Sequence, residues 1–88
     1  MFEAVQFVES RDNGEPIEVV LGEFDDELMA VDVARQARDS YAAGESVDFA
    51  WWVVREKGAK LANFISDSTS DREFVLDLRS GELVEIKS

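Results

Sequence analysis

Residues 48–56 read DFAWWVVRE and place two adjacent tryptophans in a strand-like segment that decides the fold. Side chains alternate between the two faces of a strand, so Trp51 and Trp52 must point to opposite sides of a sheet. The two groups are Val47, Phe49, Trp51 and Val53 on one side, and Ala50, Trp52 and Val54 on the other. A half-solvated strand would alternate apolar with polar residues. The sequence therefore predicts a strand that is buried on both faces.

One helix is predicted over about residues 25–43. Apolar residues recur there at helical spacing: Ala30, Val31, Ala34, Ala37 and Tyr41, flanked by Leu28 and Val33. Asp25 is the expected N-cap, and Gly44 follows the last turn, where a left-handed residue is favoured. Because alanines dominate this stripe, we expect the helix axis to lie close to a sheet, with large residues such as Phe49 or a tryptophan filling the space.

Two hairpins are predicted from turn residues between strand-like runs. The first joins strands of about Phe2–Glu9 and Ile17–Leu21 through the turn Asp12-Asn13-Gly14. The second joins a strand of about residues 47–55 to one of about residues 60–65, with a turn at Lys57-Gly58.

A third hairpin is predicted in REFVLDLRSGELVEI, residues 72–86, with its turn at residues 79–81. A left-handed Gly81 would set Leu76 opposite Val84 and Phe74 opposite Ile86, on a shared apolar face. The acidic side chains would point to the other, solvated side: Glu73, Asp77 and Glu85.

These elements follow the order ββαββββ and predict a single α+β domain over residues 1–88. Its antiparallel sheet is built from three hairpins, and the helix packs on one face. A helix about 10 Å wide covers two or three strands spaced about 4.8 Å apart, so a sheet of six strands needs further cover. The last hairpin could fold over the other face, a second copy could pack against it, or it could form a groove for a peptide or ligand.

A homodimer contact is predicted on the Trp52 side of the second hairpin. Burying a tryptophan-sized side chain is worth about 2–3 kcal/mol, and small domains gain most from shared cover. The predicted interface consists of Ala50, Trp52, Val54, Ala62 and Phe64. Which tryptophan faces the helix stays open at this level.

Composition predicts a soluble, cytoplasmic protein that does not bind membranes. The chain has no cysteine, and no apolar run approaches the roughly 20 residues needed to span a bilayer. The opening segment MFEAVQFVES lacks the basic start of a signal peptide.

The net charge of −11 is concentrated in residues 1–50, which hold thirteen Asp and Glu against three Arg. Such a surface repels nucleic acid and anionic membranes and attracts basic surfaces. The densest group is Glu23, Asp25, Asp26 and Glu27, a candidate patch for a basic protein partner. Capping and the helix dipole also account for carboxylates at a helix start. Solubility, or adaptation to a salty cytoplasm, is the alternative explanation of the acidity.

The sequence offers little support for catalysis or metal binding. His and Cys are both absent, which removes the commonest general base and the usual zinc ligands. DSTSDRE, residues 67–73, is faintly similar to the start of a calcium loop. It lacks glycine at the sixth position and has Leu78 instead of Glu at the twelfth. We expect no enzyme activity, no cofactor and no metal site.

The leading hypothesis is a small acidic, non-enzymatic protein that acts through protein–protein association as a homodimer. The alternative is an inhibitor, antitoxin-like protein or DNA mimic that neutralises a basic, nucleic-acid-binding partner. A ligand pocket between helix and sheet is a third possibility. Direct nucleic-acid binding is not expected, because the cluster of Arg55, Lys57 and Lys60 is small against the net charge.

Overall fold

The computed structural model describes residues 1–9, 14–42, 49–59, 62–68 and 72–86. Its elements are β1 (Phe2–Glu9), β2 (Ile17–Phe24), α1 (Glu27–Ala42), β3 (Phe49–Glu56), β4 (Phe64–Asp67), β5 (Glu73–Leu76) and β6 (Leu83–Ile86). Several residues used in the predictions lie outside the described ranges: Asp12, Asn13, Gly44, Val47, Lys60 and residues 69–71 of the segment compared with a calcium loop. The predicted order ββαββββ is confirmed.

The six strands form one sheet in the order β2-β1-β3-β4-β5-β6, and every neighbouring pair is antiparallel. Because β2 and β3 are both antiparallel to β1, they run parallel to each other. A parallel pair requires a crossover connection, and α1 supplies it by passing over β1. The predicted α+β architecture, with one helix on one face of the sheet, is confirmed.

The helix begins two residues later than predicted. Asp26 Oδ1 accepts a hydrogen bond from the backbone N–H of Leu28 at 2.9 Å, and its backbone oxygen accepts one from Ala30 at 3.3 Å. These bonds make Asp26 the N-cap, so the prediction of Asp25 is wrong. The predicted flanking role of Leu28 is also wrong, because this residue is 73% exposed.

The core lies between α1 and the first four strands. Ala30 and Ala34 of the helix meet Ala4, Ala50 and larger residues of the sheet, which include Trp52, Val54 and Phe64. The alanines on both sides allow the close helix–sheet approach predicted from the sequence, and Trp52 fills the space. Phe49 does not fill this space, because it lies on the opposite face of the sheet.

A β-bulge sets the register between β1 and β2. Ala4 pairs with Gly22 but Val5 pairs with Val20, so Leu21 is the extra residue of β2. Beyond the bulge, Glu18 lies opposite Phe7. Without this extra residue, Val19 would occupy that place, since a one-residue slip exchanges the two faces of a strand.

The predicted register of the third hairpin is wrong by one residue. Leu76 pairs with Leu83 and Phe74 with Glu85, because the loop contains four residues instead of three. The N–H of Asp77 donates to the carbonyl of Glu82, and the N–H of Gly81 donates to the carbonyl of Asp77, both at 2.8 Å. Gly81 has the expected left-handed backbone, with φ of 74°. Glu85 consequently shares the face of Phe74, contrary to the prediction. Glu73 lies on the face opposite Phe74 as predicted, but it is half-buried there beside the helix and not fully solvated.

The partner strand of β3 also begins later than expected. It was predicted at about residues 60–65, whereas β4 covers Phe64–Asp67. Ala62 and Asn63 precede it, and the N–H of Asn63 donates to the carbonyl of Val54 at 2.8 Å. The predicted turn at Lys57-Gly58 is observed, with Gly58 at φ of 87°.

Candidate protein-binding face

The side of the sheet opposite α1, here called the helix-free face, carries a continuous set of apolar side chains. Strand pairing shows that its central residues are Val5, Phe7, Phe49, Trp51, Val53, Ile65 and Phe74. Within the described ranges, no helix lies over this face. This face therefore presents large apolar groups without a second layer.

Three rings form a cluster on this face, here called the aromatic triad: Phe7, Phe49 and Trp51. Phe7 stacks on Trp51 with centroids 5.2 Å apart and planes 10° apart. Phe49 lies 5.6 Å from Trp51 at a tilt of 34°. Phe49 is 40% exposed, and the other two rings are half-buried. The rings occupy β1 and β3, which lie inside the sheet and not at its edges.

Each ring of the aromatic triad has a carboxylate directly opposite on a neighbouring strand. Glu18 pairs with Phe7, Glu9 with Phe49, and Asp67 with Trp51. Opposed residues share a face and have Cβ atoms about 4.5–5.5 Å apart. The aromatic triad is therefore surrounded by negative charge, and the register is what creates this arrangement.

An ion pair covers the apolar centre next to the triad. Arg55 of β3 binds Glu18 of β2 and lies 3.5 Å from the carboxylate of Glu3. Since β1 lies between β3 and β2, the Arg55–Glu18 pair spans β1 at Val5. Val5 is completely buried, although no helix lies above it. Arginine stems commonly cover apolar surface in this way.

A second arginine lies over a ring on the same face. The guanidinium of Arg72 is 5.1 Å from the centroid of Phe74. It donates two hydrogen bonds to Glu85, at 3.1 and 2.9 Å, and Glu85 is the residue opposite Phe74. These hydrogen bonds hold the pKa of Glu85 below its usual value. One ring–carboxylate pair of this face is thus occupied by an arginine of the chain itself.

The predicted interface lies under the helix. Trp52 is fully buried, donates its Nε1–H to Gln6 Oε1 at 3.0 Å, and meets the ring of Tyr41 edge-on at 5.4 Å. Ala50, Val54 and Phe64 belong to the same core, while Ala62 lies half-buried before β4. The four buried residues are covered by the chain itself, so the predicted interface lies on the side of the strand that the helix covers. Trp51 is the tryptophan of the outer surface.

The predicted acidic patch is divided among several roles. Glu23 pairs with Lys57 at 3.1 Å, and Asp26 caps α1. Asp25 is exposed and Glu27 is half-buried in the first helical turn. Glu23 follows the alternation of the helix-free face, whereas the helix start lies on the other side of the sheet. The four residues therefore do not form one surface with the aromatic triad.

The helix side carries a half-buried ion cluster that ties α1 to β5. Glu73 accepts two hydrogen bonds from Arg35, at 2.9 and 2.8 Å, and one from Arg38 at 2.8 Å. Arg38 also donates to Ser66 Oγ at 2.7 Å. The Arg35 hydrogen bonds, with the one from Arg38, hold the pKa of Glu73 below its usual value, against the opposing effect of burial. Because every group has a partner inside the chain, this cluster serves as a structural tie.

Sequence reasoning grouped Phe49 with Trp51 but missed Phe7, Glu9, Glu18 and Asp67. Alternation within β1 indicates that Phe7 and Glu9 share a face, yet only the strand pairing shows which residues they meet. Glu18 reaches the triad through the β-bulge, which has no clear signature in the sequence. The signal that could have been used is the odd-numbered series of β1, in which aromatic and acidic residues occur together.

The described residues form neither a metal-binding cluster nor a membrane-spanning helix. No group of three His, Cys, Asp or Glu side chains is arranged to hold a metal ion in that part of the chain. None of its helices has the length and apolar character required to cross a membrane.

Comparison of the chain with protein-family models, with curated proteins and with solved structures gave no match.

Proposed function

We propose that this chain is a small, non-enzymatic protein that acts through protein–protein association, and that its helix-free face binds a basic partner protein. The observation that supports the proposal is the aromatic triad, in which each ring lies opposite a carboxylate. Clustered aromatic side chains on a surface mark interaction sites in soluble proteins. Tryptophan in particular is enriched among the residues that contribute most to binding.

Charge favours a basic partner over a second copy of the chain. Each copy carries a net charge of −11, and Glu9 and Asp67 flank the aromatic triad. Two such faces brought together would place like charges opposite each other, whereas a basic surface would be attracted from a distance. A nucleic-acid-binding protein in the cytoplasm is the partner class that best fits this charge, which retains the inhibitor, antitoxin-like or DNA-mimic hypothesis.

A homodimer is the second candidate, and the open sheet face favours it. Two sheets can pack face to face about 10 Å apart, and a small domain gains stability from shared cover. The contact would then use Phe7, Phe49 and Trp51 in place of the Trp52 side. High salt would screen the repulsion between two such faces.

The test compares Trp51→Glu with Gln36→Glu, which makes the same charge change on the exposed helix surface. Light scattering after size exclusion first determines the oligomeric state of each protein. Proteins captured from cell extract are then identified, purified and titrated against each variant. The proposal expects monomers, and a basic partner whose affinity falls at least about tenfold with Trp51→Glu, stays unchanged with Gln36→Glu, and decreases with salt.

Two results would count against the proposed function. A wild-type dimer that Trp51→Glu dissociates would support the homodimer instead. A partner that binds Trp51→Glu as tightly as wild type would show that the helix-free face is not the binding surface.

A further inference from the structure

We infer that the outer edge of β2 binds an extended, basic segment of another protein, which joins the sheet as a further strand. The backbone groups of residues 17–20 form the site and bind the segment through the hydrogen bonds of a β-ladder. The inference goes beyond the proposed function, because it concerns an edge of the sheet and not the helix-free face.

The position of β2 in the sheet leaves this edge open. β2 is an end strand, so one of its edges has no neighbouring strand in the described part of the chain. β1 pairs with its inner edge, and α1 packs on its face. Every second residue of an edge strand directs its N–H and C=O away from the sheet. Water can bind these groups one by one, whereas another extended backbone matches the whole row.

The two edges of the sheet differ in length. β2 has eight residues, whereas β6 at the other end has four. Short edge strands, lysine, proline and β-bulges are features that keep natural sheets from pairing with other chains. β2 contains neither lysine nor proline, and its bulge at Leu21 leaves residues 17–20 in regular register with β1. The first half of β2 is therefore an edge without these protective features.

Exposed aliphatic side chains stand beside this part of the edge. Ile17 is 50% exposed, Val19 is 42% exposed and Val20 is 49% exposed. Ile17 and Val19 lie on the helix side of the sheet, while Val20 lies on the helix-free face. β-Branched side chains gain packing contacts when a neighbouring strand is present. An added strand thus covers apolar area on both faces in addition to pairing with the backbone.

Charge selects a basic segment over a second copy of β2. Residues 14–24 read GEPIEVVLGEF, with three glutamates and no lysine or arginine, in a chain of net charge −11. Two copies paired through this edge would bring the glutamates of both chains alongside each other, whereas a basic segment is attracted. Glu18 and Glu23 pair with Arg55 and Lys57 within the chain, so the attraction is that of the overall charge and needs no free carboxylate.

The experiment measures amide hydrogen exchange of the wild-type chain by NMR, with and without a short peptide that alternates valine with lysine. A second peptide alternates valine with glutamate, which keeps the apolar pattern and reverses the charge. Two further forms of the valine–lysine peptide are N-methylated, one at every valine and the other at every lysine. A strand uses alternate N–H groups toward one neighbour, so only one of these forms keeps its hydrogen bonds to β2.

The protein variant is Val19→Lys, which places a lysine on the edge. Its matched control is Gln36→Lys on the exposed surface of α1, which changes the net charge by the same amount. Circular dichroism verifies that both variants are folded. The N-methylated peptides test the same edge on the wild-type chain, so the inference does not depend on the stability of Val19→Lys.

The bound valine–lysine peptide is expected to slow exchange at least about tenfold at alternate amides of residues 17–20. The valine–glutamate peptide should bind at least about tenfold more weakly. One N-methylated form should lose affinity at least about tenfold while the other keeps it. Val19→Lys should weaken binding about fivefold or more, against less than about twofold for Gln36→Lys.

Peptide binding that leaves exchange in β2 unchanged would overturn the inference, as would equal affinities of the two N-methylated forms or no binding at about 1 mM peptide. Protection of β2 that appears without peptide and rises with protein concentration would assign the edge to a second copy, and would overturn it as well. The proposed function is decided separately, by the effect of Trp51→Glu on the purified partner.

Discussion

Trp52 donates its indole N–H to the side-chain carbonyl of Gln6, 3.0 Å away, on the side of the sheet that α1 covers. The two residues are opposed on β3 and β1, and the bond satisfies the polar atom of a fully buried ring. Trp51, the residue before Trp52, stacks on Phe7 on the opposite side of the sheet. A hydrogen bond in the core and an exposed aromatic surface thus arise from consecutive residues.

Replacing Gln6 by Ala should lower the free energy of unfolding by about 1–3 kcal/mol, because the Trp52 N–H is left buried without an acceptor. Gln36→Ala, on the exposed surface of α1, is the matched control and should change stability by no more than about 0.5 kcal/mol. Urea unfolding followed by tryptophan fluorescence measures both. Equal stabilities for the two variants would mean that water replaces the lost acceptor.

The two tryptophans should respond oppositely to glutamate. Trp52→Glu places an unpaired charge under the helix and leaves a cavity, which together exceed the stability of a typical small domain. We expect this variant to be unfolded at neutral pH by circular dichroism. Trp51→Glu should stay folded, because its side chain can reach solvent. A cooperatively folded Trp52→Glu variant would contradict the assignment of Trp52 to the core.

Helix capping distinguishes two adjacent aspartates. Asp26→Ala should cost about 1 kcal/mol of stability, since the N–H of Leu28 loses its acceptor. Asp25→Ala removes the same charge one residue earlier and should change the free energy of unfolding by less than about 0.5 kcal/mol. Chemical denaturation of the two variants gives the comparison. A larger effect at Asp25 would restore the capping residue predicted from the sequence.

The Glu73 cluster should make part of the stability dependent on pH. Arg35 and Arg38 lower the pKa of Glu73 in the folded state from a usual value of 4.5. The carboxylate then stabilises the fold fully above about pH 4.5, and this stabilisation is lost as the pH falls through the lowered pKa of the folded state. Glu73→Gln should therefore be less stable than wild type at pH 7 by about 1–3 kcal/mol.

The difference between wild type and Glu73→Gln should shrink below about pH 4.5, where the carboxylate of the unfolded chain becomes protonated, until the pH passes the lowered pKa of the folded state. Urea unfolding of both proteins at pH 7, 5, 4 and 3 measures this difference in stability. The other carboxylates are present in both proteins, so their effects cancel in the difference. Repeating the series in an Arg35→Gln background should give a smaller pH dependence. A difference that does not vary with pH would show that the ion cluster contributes no stability.

The sequence was sufficient for the order of elements, because helical and strand periodicities are local properties of the chain. Strands β1 and β3, the helix and all three hairpins were predicted close to their observed places. The opposite orientation of Trp51 and Trp52 also followed from alternation alone. The errors concern the register of paired strands and the ends of helices and strands, because a single backbone hydrogen bond can shift either by one residue. The four-residue loop before β6, for example, moved Leu76 from Val84 to Leu83.

The candidate site could be predicted only in part. Phe49 and Trp51 were recognised as sharing a face, but the predicted interface belonged to the other side. Their acidic neighbours come from β1, β2 and β4, and only strand pairing brings them together. No local pattern encodes which residues of separate strands become neighbours.

By itself the sequence determined that β3 has two apolar faces and that a helix forms over about residues 25–43. Only the tertiary structure decided which face the helix covers. Ala4 and Ala50 lie on the Trp52 side and meet Ala30 and Ala34, so the helix can approach closely there. Phe7, Phe49 and Trp51 stand on the other side and leave no such space. Helix placement depends on the summed volume of side chains from several strands, which no single segment of the sequence contains.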